Sequence, residues 1–183
     1  MRVIAGSARG VKLETLEGLE TRPTTDRVKE AVFSMLHHKI MSSACLDLFS
    51  GSGALGIELL SRGAQHVTFI ESNPLLKGII NRNLEKTHLS AGATIIFSDV
   101  YRALNALDGR QFDIILMDPP YRKGHVASCL EHISKLNLLN QKGVLVVEHD
   151  VIDDEIVKYP EYFESLKSKK YGKIGVTVLG RRL

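Results

Sequence analysis

The sequence predicts an α/β fold built on an open, doubly wound, mostly parallel sheet. Between residues 44 and 148, five apolar segments alternate with four segments of helical periodicity. The apolar segments are nearly continuous, as in strands that helices cover on both faces. Alternation of such strands with helices is typical of parallel strands joined by crossover connections.

The predicted strands are rich in Val, Ile, Leu and Phe, and they span residues 44–49, 66–71, 93–99, 112–118 and 143–148. The helical patterns between them span residues 54–62, 74–88, 100–107 and 124–136. Pro74 suits the first turn of the second of these helices, because a helix leaves the N–H of that position unbonded. These elements form the predicted core.

The N-terminal part of the chain has a different pattern. Residues 2–16 alternate apolar and polar positions around a glycine-containing turn, which predicts a small hairpin. A helix is expected to follow and to run through His37. Thr24 or Thr25 can cap this helix, because a hydroxyl oxygen accepts a hydrogen bond from an unbonded backbone N–H at a helix start.

The C-terminal part predicts two more strands, over residues 164–173 and 175–181, joined by a turn. We expect the 183 residues to form one domain, which is an ordinary size for a single hydrophobic core. Within it, residues 1–40 form the hairpin and helix extension, and residues 41–183 form the core.

The composition indicates an ordinary soluble globular protein, with 44% hydrophobic and 25% charged residues. No stretch approaches the roughly 18 apolar residues that a membrane span needs, and the N-terminus turns polar too soon for a secretory signal. We therefore expect a cytoplasmic protein without membrane contact. A monomer is only the default expectation, because the sequence carries no signal of the oligomeric state. Cys45 and Cys129 are predicted to be reduced core thiols, and no metal site is expected because no CxxC or Cys/His cluster occurs.

The net charge of +3 is mild, but its distribution is uneven. From residue 167 to the end of the chain there are no acidic residues and six basic ones, Lys167, Lys169, Lys170, Lys173, Arg181 and Arg182. Such a tail can contact phosphates. It can equally be a solvated strand edge that lysines protect from pairing, and charge alone favours this second explanation.

Gly51, Gly53 and Gly56 form a G-x-G-x-x-G pattern between a predicted strand and a predicted helix. Glycines here permit a tight turn and close approach of the backbone to a ligand. Alone, the pattern indicates either a nucleotide-like cofactor or only a helix start. Asp47 lies at the strand end, where a buried carboxylate needs a cationic or hydrogen-bonding partner. The ammonium group of an amino acid tail on the ligand would be such a partner.

Two more carboxylates end the following strands. Glu71 lies 20 residues after Gly51, where an acid can accept hydrogen bonds from both hydroxyls of a ribose; the alternative is a solvated carboxylate. Asp99 is predicted to accept a hydrogen bond from an adenine amino group. The predicted cofactor site also includes three neighbours of these motifs, Phe49, Ser72 and Val100.

Asp118-Pro119-Pro120-Tyr121 follows directly after the apolar run 112–117. In doubly wound sheets, ligands bind beyond the carboxyl ends of the strands, where the winding direction reverses. If the first strand carries the glycine loop and the fourth carries Asp118, the two strands are neighbours at this point. Both motifs would then line one crevice.

The chemistry of this segment suits a nucleobase amino group, which is a poor nucleophile because its lone pair is delocalised into the ring. Hydrogen bonds from the amino group to the Asp118 carboxylate and the Pro119 carbonyl would stabilise positive charge developing on nitrogen. Tyr121 can stack on the base and orient it. The two motifs together predict methyl transfer from S-adenosylmethionine to an exocyclic nitrogen. The alternative is a plain strand-to-loop turn with Tyr121 packed in the core.

These motifs together resemble the class I S-adenosylmethionine-dependent methyltransferases. More closely, the chain resembles the RsmD family, bacterial enzymes that methylate N2 of one guanine in 16S ribosomal RNA. The resemblance spans nearly the whole chain and is most specific at residues 2–6 with Arg9-Gly10, at residues 22–30, at residues 46–53 and at residues 118–121. The family often carries Phe at the position of Tyr121 and another small residue at that of Ser50.

The resemblance implies a seven-stranded Rossmann-like sheet with the strand order 3-2-1-4-5-7-6. It implies that residues 22–27 lie over the cofactor, so Thr24 and Arg27 are expected in the cofactor site. Glu148 is expected to border the site. Ribosomal RNA, within an assembled or assembling small subunit, is the implied partner, and the residues predicted to face it are Arg9, Arg22, Lys169 and Lys170. Which of the three N-terminal arginines faces RNA rather than cofactor stays open.

Three other hypotheses are compatible with parts of the pattern. The Asp-Pro-Pro-Tyr segment also suits methylation of adenine N6 in DNA, although 183 residues leave no evident separate DNA-reading domain. The glycine pattern suits an NAD-type oxidoreductase, which leaves residues 118–121 unexplained. A ribosome-assembly factor with a vestigial cofactor pocket is the third hypothesis, and it predicts that loss of Asp118 has no biological effect.

Overall fold

A computed structural model describes residues 1–16, 26–121, 123–152 and 161–182, without the side chain of Arg27. Its strands are β1 (Ala44–Leu48), β2 (His66–Glu71), β3 (Ala93–Phe97), β4 (Phe112–Met117), β5 (Leu139–Asp150), β6 (Phe163–Tyr171) and β7 (Ile174–Arg181). Its helices are α1 (Asp26–Leu36), α2 (Ala54–Ser61), α3 (Pro74–Lys86), α4 (Val100–Ala106) and α5 (His125–Lys135). The strands form one sheet in the order β3-β2-β1-β4-β5-β7-β6, which confirms the predicted fold class and strand order.

The winding of the sheet reverses between β1 and β4. These two strands pair in parallel, and Leu48 at the end of β1 lies opposite Met117 at the end of β4. On the other side of the sheet, β7 runs antiparallel to β5 and to β6. The strands β1, β4, β5 and β6 therefore all end at the same edge, called here the carboxyl edge.

Two layers of helices cover the sheet. One hydrophobic cluster joins α1, α2, α3 and the N-terminal hairpin to one face, and the other joins α4 and α5 to the opposite face. We call these the α1 face and the α5 face. Successive strand residues point to opposite faces, so Leu116 lies in the first cluster and Ile115 in the second. This double burial explains the continuous apolar runs in the sequence.

The predicted hairpin is present at the N-terminus as a short antiparallel bridge between Arg2 and Lys12. At its tip, the backbone N–H of Ser7 donates to the carbonyl of Ser61 at 2.8 Å, and that of Ala8 donates to the Ser61 hydroxyl at 3.0 Å. Because Ser61 ends α2, the tip lies at the edge of the sheet away from the glycine loop.

Several element boundaries differ from the predicted ones for local reasons. β3 ends at Phe97 rather than at residue 99, because the Asp99 side chain accepts a hydrogen bond from the N–H of Tyr101 and caps α4. α3 ends at Lys86, and His88 leaves the helical conformation with a φ of +58°. No helix within the described ranges has both the length and the apolar character to cross a bilayer.

A buried ion pair joins α1 to α2. The Lys29 ammonium lies 3.0 Å from Oε2 of Glu58, and both side chains are fully buried. Arg62 Nε lies 2.7 Å from the other carboxylate oxygen. Burial by itself raises the pKa of Glu58, but the Lys29 charge and the Ile4 amide outweigh it and hold that pKa below its ordinary value.

The same carboxylate also holds the hairpin. The backbone N–H groups of Ile4 and Ala5 donate to Glu58 at 2.8 and 2.9 Å, and Lys29 Nζ donates to the carbonyl of Arg2 at 3.1 Å. Glu58 thus ties the first residues of the chain, α1 and α2 together.

Helix α2 approaches the sheet most closely at Gly56. A Cβ at this position would overlap the Phe69 ring of β2 and lie 2.8 Å from Oδ2 of Asp47. Phe69 is fully buried, so a shift of its ring would disturb the packed core around it. Any side chain at position 56 would therefore separate α2 from β1 and β2.

We expect Glu58→Gln to reduce the free energy of unfolding by about 3 kcal/mol or more, because it leaves the Lys29 charge buried without its counter-charge. Urea titration measures this change. Glu14→Gln is the control, since Glu14 pairs with Arg82 at 2.8 Å on the surface and its loss should change stability by less than about 1 kcal/mol. Equal effects of the two variants would contradict the assigned role of Glu58.

We expect Gly56→Ala and Gly78→Ala to change stability in opposite directions. Gly56→Ala should destabilise the fold by about 1–3 kcal/mol through overpacking. Gly78 lies inside α3, where a Cβ meets only the flexible end of Arg82, so Gly78→Ala should stabilise by up to about 1 kcal/mol. Thermal and urea unfolding of both variants check the signs, and a destabilised Gly78→Ala would contradict this account.

Candidate active site

The loop between β1 and α2 turns sharply at the carboxyl edge. Phe49, Gly51 and Gly53 have φ values of +60°, +57° and +80°. A bulky residue such as Phe49 rarely adopts this left-handed conformation, and such strain is typical of functional sites. The Ser50 hydroxyl donates to the carbonyl of Asp47 at 2.7 Å, and the backbone N–H of Ser50 donates to the carbonyl of Ile70 in β2. The loop is therefore held in place without any ligand.

Glu71 at the end of β2 organises the same loop. Its Oε2 accepts a hydrogen bond from the N–H of Gly51 at 2.8 Å, and its Oε1 accepts from the N–H groups of Ser72 and Asn73 at 2.8 and 2.7 Å. Each carboxylate oxygen has two lone pairs, so Oε2 can accept a further hydrogen bond. Glu71 thus links the glycine loop to the start of α3 and retains acceptor capacity for a hydroxyl.

Asp47 lies beneath the glycine loop and is only 2% exposed. Its Oδ2 accepts a hydrogen bond from the N–H of Gly56 at 2.9 Å, which is a hydrogen-bonding partner of the kind that the sequence required. Burial raises the pKa of Asp47 to about 7, and the nearby Glu71 carboxylate adds to this effect. A cation close to Asp47 would favour its ionised form and lower this pKa.

Asp99 is exposed beyond the end of β3, at the edge of the sheet where Glu71 also lies. Its Oδ1 accepts hydrogen bonds from the N–H groups of Tyr101 and Arg102, at 3.0 and 3.3 Å. This helix cap is a local role that the sequence interpretation did not consider. Val100 is buried behind it.

The Asp-Pro-Pro-Tyr segment begins beside the glycine loop, because Leu48 and Met117 are paired. Pro119 is buried, while Asp118 and Tyr121 are half-buried. The Tyr121 hydroxyl donates to Oε1 of Glu148 at 3.1 Å. The structure thus brings together the two motifs that the sequence assigned to one crevice, and it places Glu148 of β5 at their border.

Tyr121 lies among carboxylates. Burial raises its pKa far above the ordinary value, and Glu148, Asp118 and Asp150 raise it further. The phenol therefore stays protonated at neutral pH and acts as a hydrogen-bond donor. Because the ring is only half-buried, one part of it remains accessible, which differs from a side chain packed wholly in the core.

An aromatic cluster on the α5 face joins Phe49 of the glycine loop to Tyr101 and His125, two residues that the sequence interpretation did not name. The Tyr101 hydroxyl and Nδ1 of His125 are 2.8 Å apart. The centroids of the His125 and Phe49 rings are 5.3 Å apart, and Tyr101 also contacts His132. A sequence signal did exist, since Tyr101 and His125 both lie in the first turn of helices that begin at the carboxyl edge.

The predicted RNA-facing and cofactor-covering residues are not all gathered at the crevice. Thr24 and Arg22 lie outside the described residues, as does the side chain of Arg27. Arg9 is exposed in the hairpin tip beside Ser61, away from the carboxyl edge. Its contact with RNA stays a prediction, which this location does not support.

Lys169 and Lys170 lie near the end of β6, just before the turn to β7, and both are exposed. The strand ends at Tyr171, opposite Ile174 of β7, which also lies opposite Asp150 at the end of β5. The two lysines are therefore near the carboxyl edge, two strands away from Glu148.

Comparison with known proteins agrees with this geometry. The model of a family described as Conserved hypothetical protein 95 matches residues 1–180. The protein YlbH of Bacillus subtilis is 37% identical over 187 residues, which cover 100% of both chains. The ribosomal RNA small subunit methyltransferase D of Haemophilus influenzae is 35% identical over 176 residues, 94% of this chain and 89% of that protein.

Among solved structures, the protein yhhF of Escherichia coli has a TM-score of 0.87 and 33% identity, and the alignment covers 100% of this chain and 98% of that one. The family match, the named relative and the shared fold all extend over nearly the full chain. The protein therefore belongs to the ribosomal RNA small subunit methyltransferase D family, RsmD, as its motifs predicted.

Proposed function

We propose that this protein transfers a methyl group from S-adenosylmethionine to N2 of a guanine in small-subunit ribosomal RNA. The observation that carries the proposal is the pairing of Leu48 with Met117. This pairing sets a cofactor-type glycine loop directly beside a segment that can accept hydrogen bonds from an amino group. The name of the Haemophilus influenzae relative supports ribosomal RNA of the small subunit as the substrate.

The residues around the glycine loop fit S-adenosylmethionine. Asp47 is a buried carboxylate with a pKa of about 7, and an ammonium group beside it would stabilise its ionised form. Glu71 retains acceptor capacity for ribose hydroxyls, and Asp99 is proposed to accept from the adenine amino group. The walls of this site are assigned to Phe49, Gly51, Gly53, Ser72 and Val100, with Thr24 and Arg27 proposed to cover it. When bound, the cofactor supplies an electrophilic methyl group on its sulfonium centre.

Asp118 and Pro119 are proposed to activate the guanine amino group. Two hydrogen bonds from this group, one to the Asp118 carboxylate and one to the Pro119 carbonyl, hold its nitrogen in place. Positive charge would develop on the nitrogen as the new C–N bond forms and the bond between the methyl carbon and sulfur breaks, and preorganised acceptors stabilise that charge. The nitrogen then loses one proton to water, which restores a neutral, methylated amine.

Tyr121 is proposed to hold the base in line for transfer. Its hydroxyl donates to Glu148, which fixes the orientation of the ring at the border of the crevice. An aromatic face at this position can stack on an unstacked base, as in other RNA-binding sites. The raised pKa of Tyr121 keeps the phenol neutral, so it does not add a further negative charge beside the glutamate.

The function is tested by transfer of labelled methyl from S-adenosylmethionine to small ribosomal subunits from a strain that lacks its own enzyme of this family. We expect N2-methylguanosine at a single site. In the same assay, Asp118→Ala should slow transfer by about 10²–10³, because one preorganised charge-stabilising group is lost. Affinity for S-adenosylhomocysteine, measured by calorimetry, should stay unchanged.

The matched control is Asp108→Ala, which removes an exposed carboxylate after the far end of α4 and should not change the rate. Absence of labelling in the ribosomal particles, or a different methylated nucleoside, would overturn the proposal. Higher activity on duplex DNA would instead favour methylation of adenine N6. An Asp118→Ala variant with full activity would remove Asp118 from the mechanism.

The raised pKa of Asp47 predicts that cofactor binding releases a proton. Its pKa of about 7 leaves it largely protonated at pH 6, and a cofactor ammonium beside it would favour the ionised form. Binding at pH 6 should therefore release close to one proton, and affinity should rise between pH 6 and pH 7.5. Calorimetry in two buffers with different ionisation enthalpies measures this release. Equal release by Asp47→Asn would show that another group loses the proton.

A further inference from the structure

The edge strand β6 carries lysines on both of its faces, and one face is continuous with the candidate active site. Lys169 lies opposite Val176 of β7, which in turn lies opposite Glu148 of β5. Residues directly opposite each other on neighbouring strands point to the same face of a sheet. Val176 belongs to the cluster on the α1 face, so Lys169 and Glu148 lie in one row on that face.

The other lysines follow from strand alternation. Lys167 lies opposite Val178, which also belongs to the cluster on the α1 face. Lys170 lies opposite Gly175, and because successive residues alternate, its side chain points to the α5 face. Two lysines thus stand on the side of the sheet that carries Glu148, and one stands on the opposite side.

The distance to the site is short. Neighbouring strands are about 4.8 Å apart, so the Cα atoms of Lys169 and Glu148 are about 10 Å apart across β7. Glu148 accepts the hydrogen bond from Tyr121, the residue proposed to stack on the target base. Within the part of the chain that the structure describes, neither Lys167 nor Lys169 forms a salt bridge.

The described carboxylates of the crevice contribute negative charge. Asp118, Glu148 and Asp150 lie close enough to Tyr121 to raise its pKa, and Glu71 lies beyond them at the same edge. This charge suits a base amino group but repels phosphates. Positive charge outside the crevice can therefore favour entry of a guanine by holding the adjoining RNA backbone.

The competing explanation is that the β6 lysines only prevent pairing of the exposed strand with another chain. For that role, the face to which a lysine points does not matter, and neighbouring lysines of one strand are equivalent. Glu148 of the crevice lies in the same row as Lys169, whereas Lys170 points to the opposite face. RNA bound at the crevice would therefore contact the two lysines differently, and this difference separates the two explanations.

We propose that Lys167 and Lys169 hold the phosphates of the RNA strand next to the target guanine, and that Lys170 takes no part. This inference rests on the proposed function, since it concerns how the substrate reaches the same site. Of the two lysines that the sequence analysis predicted to face RNA, the inference keeps Lys169 and excludes Lys170. It adds Lys167 as a second phosphate contact.

The test compares Lys169→Gln with Lys170→Gln, because the two residues are adjacent, exposed and equal in charge but point to opposite faces. Binding to unmethylated small ribosomal particles is measured between about 50 and 200 mM salt, a range over which phosphate contacts change affinity strongly. Lys169→Arg retains the positive charge and serves as the rescue variant. Affinity for S-adenosylhomocysteine and unfolding temperature are measured for each variant.

Affinity falls as salt rises, so the slope of log affinity against log salt is negative. We expect Lys169→Gln to lower the absolute value of this slope by about 0.7, the value for one contact to a single-stranded phosphate. The double variant Lys167→Gln/Lys169→Gln should lower it by about twice as much. Lys170→Gln and Lys169→Arg should leave the slope unchanged. The KM for particles should rise in the first two variants, while kcat at saturating particle concentration stays constant.

Equal loss of slope in Lys169→Gln and Lys170→Gln would overturn the inference and favour unspecific attraction. An unchanged slope in both variants would also overturn the inference, and would indicate that the lysines only protect the exposed strand from pairing with another chain. These failures are distinct from failure of the proposed function, because the unsubstituted protein is assayed for methyl transfer to the same particles. If it transfers methyl groups and the lysine variants do not differ, only the inference fails.

Discussion

The parallel pairing of β1 with β4 is the constraint on which the candidate active site depends. The chain crosses from β1 towards β2 and β3 on one side and from β4 towards β5 on the other. The segments that follow Leu48 and Met117 must therefore diverge from adjacent points and leave a crevice between them. A glycine loop and an Asp-Pro-Pro-Tyr segment, placed after these strands, meet there without any further device.

Carboxylates at this edge have structural roles, and the proposed mechanism assigns chemical roles to them as well. Glu71 and Asp47 accept hydrogen bonds from the backbone of the glycine loop and of α2, so the loop is formed before a ligand binds. Asp118 and Glu148 lie beside Tyr121, where acceptors favour a base amino group. The same negative charge repels a phosphate backbone, which is the reason for proposing that lysines outside the crevice hold the RNA.

The sequence by itself determined the type and order of the elements and the presence of both motifs. Near-continuous apolar runs indicated doubly covered strands, and β2 has the predicted bounds, His66–Glu71. Glycine and proline act through local backbone geometry, so the loops at residues 51–56 and 118–121 were recognisable without a partner. The strand order followed from family resemblance, because periodicity does not reveal which strands are neighbours.

Only the tertiary structure decided which atoms meet. Asp47 accepts a hydrogen bond from the N–H of Gly56, and Tyr101 contacts His125. Each of these contacts joins residues that are distant in sequence or lie on different elements. The register of β5, β7 and β6 places Lys169, and not Lys170, in the row of Glu148. A shift of one residue would exchange the two faces, and register is set by long-range packing that a local sequence pattern does not contain.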